Sequence, residues 1–292
     1  MDDTLHDLNR WRSVCSLALL VILLAWESLV PFFAWFAGKA GERVQHGCRN
    51  VALGVLNALI TGLVFAALWW ATAAWTRTHG FGVLPWLSLP GWARLAVAFL
   101  LFDAWMYWWH RLNHRLPFLW RFHRTHHSDP RMDVTTANRF HLGEIALSSL
   151  LRVPVIALLG LQLWELALYE MAMFTVVQLH HANIALPAWL DRGLRVVIVT
   201  PFMHKVHHSR CQAETDSNYS SLFSFWDRLF RTFRFRDDPH TIQFGLDEFN
   251  RPEDHTLAGL LATPLKPAAA NRGTTVPASS RNQQPHAPDQ AS

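Results

Sequence analysis

Apolar positions in this chain gather into runs of bilayer length, and the segments between them are short and charged. A spanning helix needs roughly 20 mostly apolar residues. Three such runs follow one another: about Val14 to Phe36, about Val51 to Trp75 and about Trp92 to Trp109. A longer stretch, from about Ile145 to Leu179, is interrupted by Arg152, Pro154, Gly160, Glu165 and Glu170, and its two arms suit a helical hairpin turning near Gly160–Gln162. From about Ala182 the pattern becomes mixed and polar, and the aromatic, charged run Tyr219–Phe235 reads as an interfacial or soluble segment. The expected fold is an all-α integral membrane protein with three N-terminal spans plus a helical hairpin, carrying a cytoplasmic histidine-rich helical cap. Buried core helices of a soluble protein are the competing reading, and the number and length of the runs argue against it.

Charge orients the spans, because Lys- and Arg-rich short loops stay in the cytoplasm. The loop Gly38–Asn50 carries Lys39, Arg43 and Arg49 against Glu42, and Arg111–Arg139 is strongly basic. The leader has three Asp and two Arg, and Thr76–Gly91 has only Arg77. An outside N-terminus, three spans and a cytoplasmic region after them fit all four segments. A hairpin returns the chain to the side it left, so everything polar after Ala182 joins the same face. Glu27 and Pro31 interrupt the first run and the leader lacks a positive bias, which suits an anchor better than a cleaved signal. A multi-pass protein of a bacterial inner membrane is the expected location.

Composition adds little until the histidines are placed. Apolar residues make up 51% of the chain, and the 15 Trp and 19 Phe against 3 Tyr reinforce the membrane reading. The net charge of +4 fits Arg-rich loops facing anionic lipid rather than nucleic acid. Cys15, Cys48 and Cys211 are far apart and suggest neither a disulfide framework nor a thiolate metal site.

Of the 17 histidines, eight fall in His110-Arg-Leu-Asn-His114, His123-Arg-Thr-His126-His127 and His204-Lys-Val-His207-His208. On a helix, residues three and four apart share a face, so each first histidine has a partner one turn later. Eight neutral nitrogen donors exceed what one four- to six-coordinate ion accepts and point to two metals. A hydrolytic zinc site needs only about three protein ligands. Imidazole alone is compatible with iron, zinc, copper or nickel. Trp105-Met-Tyr-Trp-Trp109 runs directly into His110, so the metals belong at headgroup level, where a lipid chain reaches them from below. That suits oxidation of an unactivated C–H bond. A histidine-rich membrane metal transporter or other metal-binding protein is the alternative, although transporters place their ligands near the bilayer midplane.

From roughly Phe99 to Phe235 the chain resembles the fatty acid hydroxylase superfamily, also called the sterol desaturase family, of membrane non-haem di-iron enzymes. The resemblance rests on the three clusters and on Asn138-Arg-Phe-His141 with Glu144, Gln178-Leu-His-His181-Ala-Asn183 and Leu190-Asp191. It continues through Thr200-Pro201, Ser209, Asp216-Ser-Asn218-Tyr219 and Trp226-Asp-Arg-Leu-Phe230. It implies an O2-dependent hydroxylase or desaturase acting on a membrane lipid, with two iron ions and an external electron donor. Carried over by position, the ligands are His110, His114, His123, His126, His127, His204, His207 and His208, with His181 as the ninth. His141 and His180 are extra ligands or orient one by hydrogen bonding, and Asn183, Asn218 and Asp227 are further supporting positions. Leu142, Ser220 and Arg231 depart from the family pattern.

The resemblance divides the chain into an N-terminal transmembrane region, 1–90, a di-metal domain, 91–262, and a disordered polar tail, 263–292. No haem-attachment, dinucleotide-binding or ferredoxin-type cysteine motif is present, so electrons are expected from a separate ferredoxin- or cytochrome-type protein. Arg111, Arg115, Arg121, Arg124, Arg131 and Arg139 form a basic face suited to an acidic partner or to lipid phosphate. His6, His46, His79, His240, His255 and His286 lie outside the clusters and are assigned no metal role.

Overall fold

Helix α1, Asp2–Leu29, stops where Pro31 removes a backbone donor and bars the preceding residue from helical geometry. The computed structural model describes residues 2–267. After the turn at 30–39, α2 (Ala40–Ile60), a π-helical segment (Thr61–Phe65) and α3 (Ala66–His79) form one continuous rod, followed by the short α4, Val83–Leu87. Then come α5 (Gly91–Arg115), α6 (Pro117–His127), a 3-10 turn at Val134–Asn138, α7 (Leu142–Leu159) and α8 (Leu163–His181). Shorter helices follow among the described residues: α9 (Ala188–Leu194), α10 (Pro201–His207), α11 (Gln212–Thr215), α12 (Phe225–Leu229) and α13 (Leu257–Leu261). Among the described residues there are isolated β-bridges and no strand.

Among the described residues, two helical stretches have the length and hydropathy to cross a membrane: 40–87, which contains the rod, and Leu142–Leu159. The first expected run departs from its predicted bounds, yielding the shorter apolar helix Ser13–Leu29. Large apolar side chains point away from the protein, among them Leu17, Ile22, Leu63, Trp70 and Leu158, all more than half exposed. A water-soluble monomer rarely tolerates such a surface. Trp75, Trp86 and Trp92 are exposed around the α3–α5 turn, where an interfacial belt is expected.

The hairpin turns where the sequence predicts it. Gly160 closes α7 in the left-handed region, at φ +68°, and Gln162 starts α8. Its arms lean on different neighbours: α7 packs on α3 and α2, α8 on α1, and α5 touches both arms. That arrangement leaves internal space between them. The turn itself is tight, since a Cβ on Gly160 would stand 2.5 Å from Pro85 Cδ and 2.6 Å from Phe81 O.

The other end of the molecule is a polar cap with an ion-paired interior. His46 lies 3.0 Å from Asp129 and 3.3 Å from Asp133, and Arg139 donates to Thr125 O, Asn50 and Ser128. This corrects the expected basic face: Arg139 is buried here, and buried Arg124 donates to the backbone carbonyls of Thr263, Lys266 and Pro267. Arg115 and Arg121 remain exposed. The same bonds move the start of the tail. Thr263–Leu265 forms a 3-10 turn held by Arg124, and residues 268–292 lie outside the described residues.

Gly160→Ala adds both a left-handed side chain and a backbone clash, and should cost about 2–4 kcal/mol. Gly80, at φ +58° with open space around it, should cost only about 1 kcal/mol as Gly80→Ala. Unfolding temperatures of the two variants in one detergent compare them directly.

Candidate metal centre

Four helices converge where the polar cap meets the apolar helices. Near its C-terminal end α5 carries His110 and His114 one turn apart, and α6 carries His123, His126 and His127. His180 and His181 end α8, while α10 presents His204 and His207, with His208 at its C-cap. Pro117 and Pro201 occupy the first turns of α6 and α10, where a missing N–H costs nothing. The histidines therefore sit at the ends of the long α5 and α8 and on the short, sharply started α6 and α10, where one-turn spacing aims them at one volume.

They form two groups. His110, His114, His123, His127 and His207 make one, and His126, His181, His204 and His208 the other, with ligand atoms within 4.8 Å of one another in each. All nine predicted ligand positions are brought together, and each repeated His-x-x-His-His motif is divided between groups. His126 and His208 face one way, His123, His127 and His207 the other.

Hydrogen bonds at the outer nitrogens fix what the inner ones can do. His110 Nδ1 donates to Tyr219 O at 2.7 Å, His207 Nδ1 to Ser217 O at 2.7 Å and His181 Nδ1 to Val177 O at 2.8 Å. His123 Nδ1 donates to Glu144 Oε1 at 2.9 Å. A neutral ring that donates through Nδ1 presents a bare lone pair at Nε2. Nε2 of His110 and of His207 is buried without a protein partner among the described residues. In the second group the Nε2 atoms of His126, His181, His204 and His208 follow one another at 3.1 Å. Adjacent donors around an ion with bonds of about 2.0–2.1 Å lie about 3.0–3.4 Å apart. Lone pairs crowded at that distance repel unless a cation lies between them, so the donor set fits metal ions.

Burial keeps the rings in the required state. It pushes His126, His127, His204 and His208 well below the usual histidine range, helped by neighbouring histidines, and lowers His207 to about 3. At neutral pH these rings are uncharged, each with one nitrogen free to bind a cation.

The remaining sequence candidates lie outside both groups. His141 caps α7 by accepting from Gly143 N, and its Nε2 donates to Leu261 O. His180 stacks on His204, with centroids 3.8 Å apart. Asn183 pairs with both backbone polar groups of Phe33, holding the turn after α1. Asn218, at φ +51°, ties Met203 O to Arg234. Asp227 accepts from Tyr219 N and Ser220 N and so steadies the loop whose carbonyl holds His110.

Sequence reasoning missed other parts. Glu144 belongs to a quoted motif, but only the structure places its carboxylate on His123 and Asn113. Buried Lys205 donates to Ala182 O and Ile184 O, fastening the end of α8 beside His181. A lone carboxylate in an apolar run is a usable signal for Glu144; the carbonyls of Ser217 and Tyr219 leave none.

A cavity of about 400 Å3 opens directly beneath. His110, His123, His126, His181 and His204 reach it from the cap, and its remaining wall is mostly apolar, including Trp109, Phe140, Ile145 and Phe174.

The fatty acid hydroxylase family model matches residues 95–232, which contain all nine histidines. Alkylglycerol monooxygenase of Homo sapiens is 29% identical over 227 residues, covering 75% of this chain and 45% of that protein. Ornithine lipid hydroxylase of Rhizobium tropici is 25% identical over 240 residues, covering 81% and 71%. A fatty acid hydroxylase of Lecanicillium sp is 28% identical over 178 residues, covering 54% and 48%. The chain thus spans less than half the length of the alkylglycerol monooxygenase and about seven-tenths of the ornithine lipid hydroxylase. No solved structure matches it.

Two outcomes follow from this geometry. Because these histidines have folded pKa values below the unfolded 6.5, the unfolded chain binds more protons in acid. The contribution of these histidines to the stability of the metal-free protein should be constant above about pH 6.5 and fall progressively as pH drops towards about 3, as read by comparing denaturation of the unaltered protein and the His126→Ala, His207→Ala variant at a series of pH values. Glu144→Gln keeps the shape but weakens the hold on His123, and should lower metal affinity about 10–100-fold in a chelator competition.

Proposed function

Since residues 95–232 form a fatty acid hydroxylase domain, we propose that this protein is a membrane lipid hydroxylase, a non-haem di-iron monooxygenase that uses O2. The observation that carries the proposal is the shared boundary between the two histidine groups and the apolar cavity beneath them. Hydroxylation is favoured over desaturation because the relatives bear the names monooxygenase and hydroxylase. In the reaction a C–H bond of the lipid becomes C–OH, the second oxygen atom leaves as water, and a donor supplies two electrons and two protons.

His110, His114, His123, His127 and His207 would hold one iron, and His126, His181, His204 and His208 the other. The iron pair supplies reductive activation of O2, which no side chain here can perform. The protein's part is positional. Glu144 and the carbonyls of Tyr219, Ser217 and Val177 hold four rings with Nε2 inward. The apolar wall formed by Trp109, Phe140, Ile145 and Phe174 excludes water and steadies a hydrocarbon segment against the histidines. Holding reacting groups at near-attack distance converts binding into rate.

We place α1, the α2–α3 rod, α5 and the α7–α8 hairpin in or across the bilayer, with the cap on the cytoplasmic face of a bacterial inner membrane. A separate ferredoxin- or cytochrome-type protein would deliver electrons there. A histidine-rich transporter fits less well, because the histidines border an apolar cavity rather than an ion path.

Protein purified gently from iron-replete cells should carry about two irons per chain, one per group of nitrogen donors, and lose both in the His126→Ala, His207→Ala double variant. Cells lacking the protein should accumulate one lipid class in its unhydroxylated form. Absence of bound metal, or a metal content untouched by the double change, would sink the proposal.

A further inference from the structure

The cavity beside the histidines does not end in the membrane region. A second chamber of about 700 Å3 continues from it, and Asn57, Ala58, Ile145, Ser148 and Arg152 line both, forming a neck between them. The outer chamber follows the π segment, where Gly62, Ala66, Ala67 and Trp70 are exposed on the rod. Single π turns inside α-helices are frequently found at functional positions. This one sets the wall of an opening on the lipid-facing side.

The neck has an unusual balance of polar groups. Arg152 on α7 pairs with Glu170 on α8, and its guanidinium lies 5.3 Å from the Trp69 ring centroid. Asn57 Nδ2 donates to Phe140 O at 2.8 Å. Two atoms are left over: Asn57 Oδ1 and Arg152 Nε are both buried and lack a hydrogen-bond partner among the described residues. Asn57 is only 8% exposed. Buried polar groups are rarely left unmade in native proteins, and each exception calls for a ligand or a function.

The charges decide what kind of ligand. Because Glu170 already neutralises Arg152, a carboxylate or phosphate entering the neck would compete with Glu170 for one guanidinium and bring two anions together beside apolar walls, which is unfavourable. The unmet needs are one acceptor for Arg152 Nε and one donor for Asn57 Oδ1. One uncharged group that gives and takes a hydrogen bond meets both, which describes a hydroxyl or a secondary amide.

Building on the lipid-hydroxylase reading, we infer that Asn57 and Arg152 form a collar that reads an uncharged hydroxyl or amide of the substrate lipid. The group is held at the neck while the carbon segment beyond it fills the inner chamber and meets the histidines. The oxidised carbon is then fixed by its distance from that polar group. Asn57 and Arg152 are positioning residues: they touch the substrate away from the reacting bond.

The test uses full-length protein in lipid nanodiscs and three probes of equal chain length: hexadecanol, N-methylhexadecanamide and hexadecane. Retained probe is counted by mass spectrometry after gel filtration, without iron or turnover. Two hydrogen bonds correspond to roughly tenfold preference, so the alcohol, the amide or both should be retained about tenfold above the alkane. Preference for one polar probe alone identifies hydroxyl or amide as the source. Asn57→Leu, and separately Arg152→Met combined with Glu170→Met, should each cut the preference over the alkane to about threefold, and all three changes together should bring retention down to the alkane level. Equal retention of all three probes by the unaltered protein overturns the inference, and that comparison stands even if a variant fails to fold.

A second readout applies once iron and reductant are supplied. For alcohols of increasing length, the oxidised position should stay constant counted from the hydroxyl; a position constant from the methyl end overturns the collar as the ruler. Selective retention without turnover of any probe would leave the collar standing and count against the hydroxylase reading instead.

Discussion

The histidine end of this protein is governed by one constraint: nine imidazoles must be kept neutral, dry and oriented with their donor nitrogens facing one another. Without ions that arrangement is repulsive, so the surrounding chain must hold it in place. It does so mainly from behind. Carbonyls of Val177, Ser217 and Tyr219 and the carboxylate of Glu144 each accept an Nδ1–H, which sets the tautomer and the ring angle together.

Those acceptors need supports of their own. Asp227 grips the Tyr219 and Ser220 amides, so the loop behind His110 cannot drift. Glu27, buried at the end of α1, accepts from the amides of Val134 and Asn183 and from Arg43, while Lys205 ties α10 to the carbonyls ending α8. The first helix is thus fastened to the segment that follows His181. Apolar helices and polar cap share one frame, and Glu27 interrupts an otherwise apolar run to build it.

The legible part of this fold was the part written in periodicity and repetition. The Pro, Gly and polar residues near 160 gave the hairpin; His-x-x-x-His and His-x-x-His-His spacing gave eight of the positions that now fall into two groups, and the family resemblance supplied the ninth, His181. Spacing could not say how they would be shared, because His126 and His127 are adjacent in sequence yet face different groups, about 100° apart around α6. Arg124 and Arg139 looked like surface charge because a basic run carries no mark of burial; their partners are backbone carbonyls and side chains up to 143 residues away. The π segment was equally hidden, since Thr61–Phe65 reads as ordinary apolar helix. Asn183 and Asn218 stood out by motif, but the bonds they make hold loops, which no one-dimensional pattern distinguishes from contacts to a ring.

The opening beside the π segment faces the apolar side of the rod rather than the polar cap. In the proposed bilayer placement, a ligand entering there never has to pass through water. Its supply is therefore set by its share of the surrounding lipid and not by its amount per litre. Occupancy should follow the laws of a two-dimensional solvent: adding inert lipid or detergent dilutes the ligand even when its total quantity is unchanged, and saturation is properly expressed as a mole fraction.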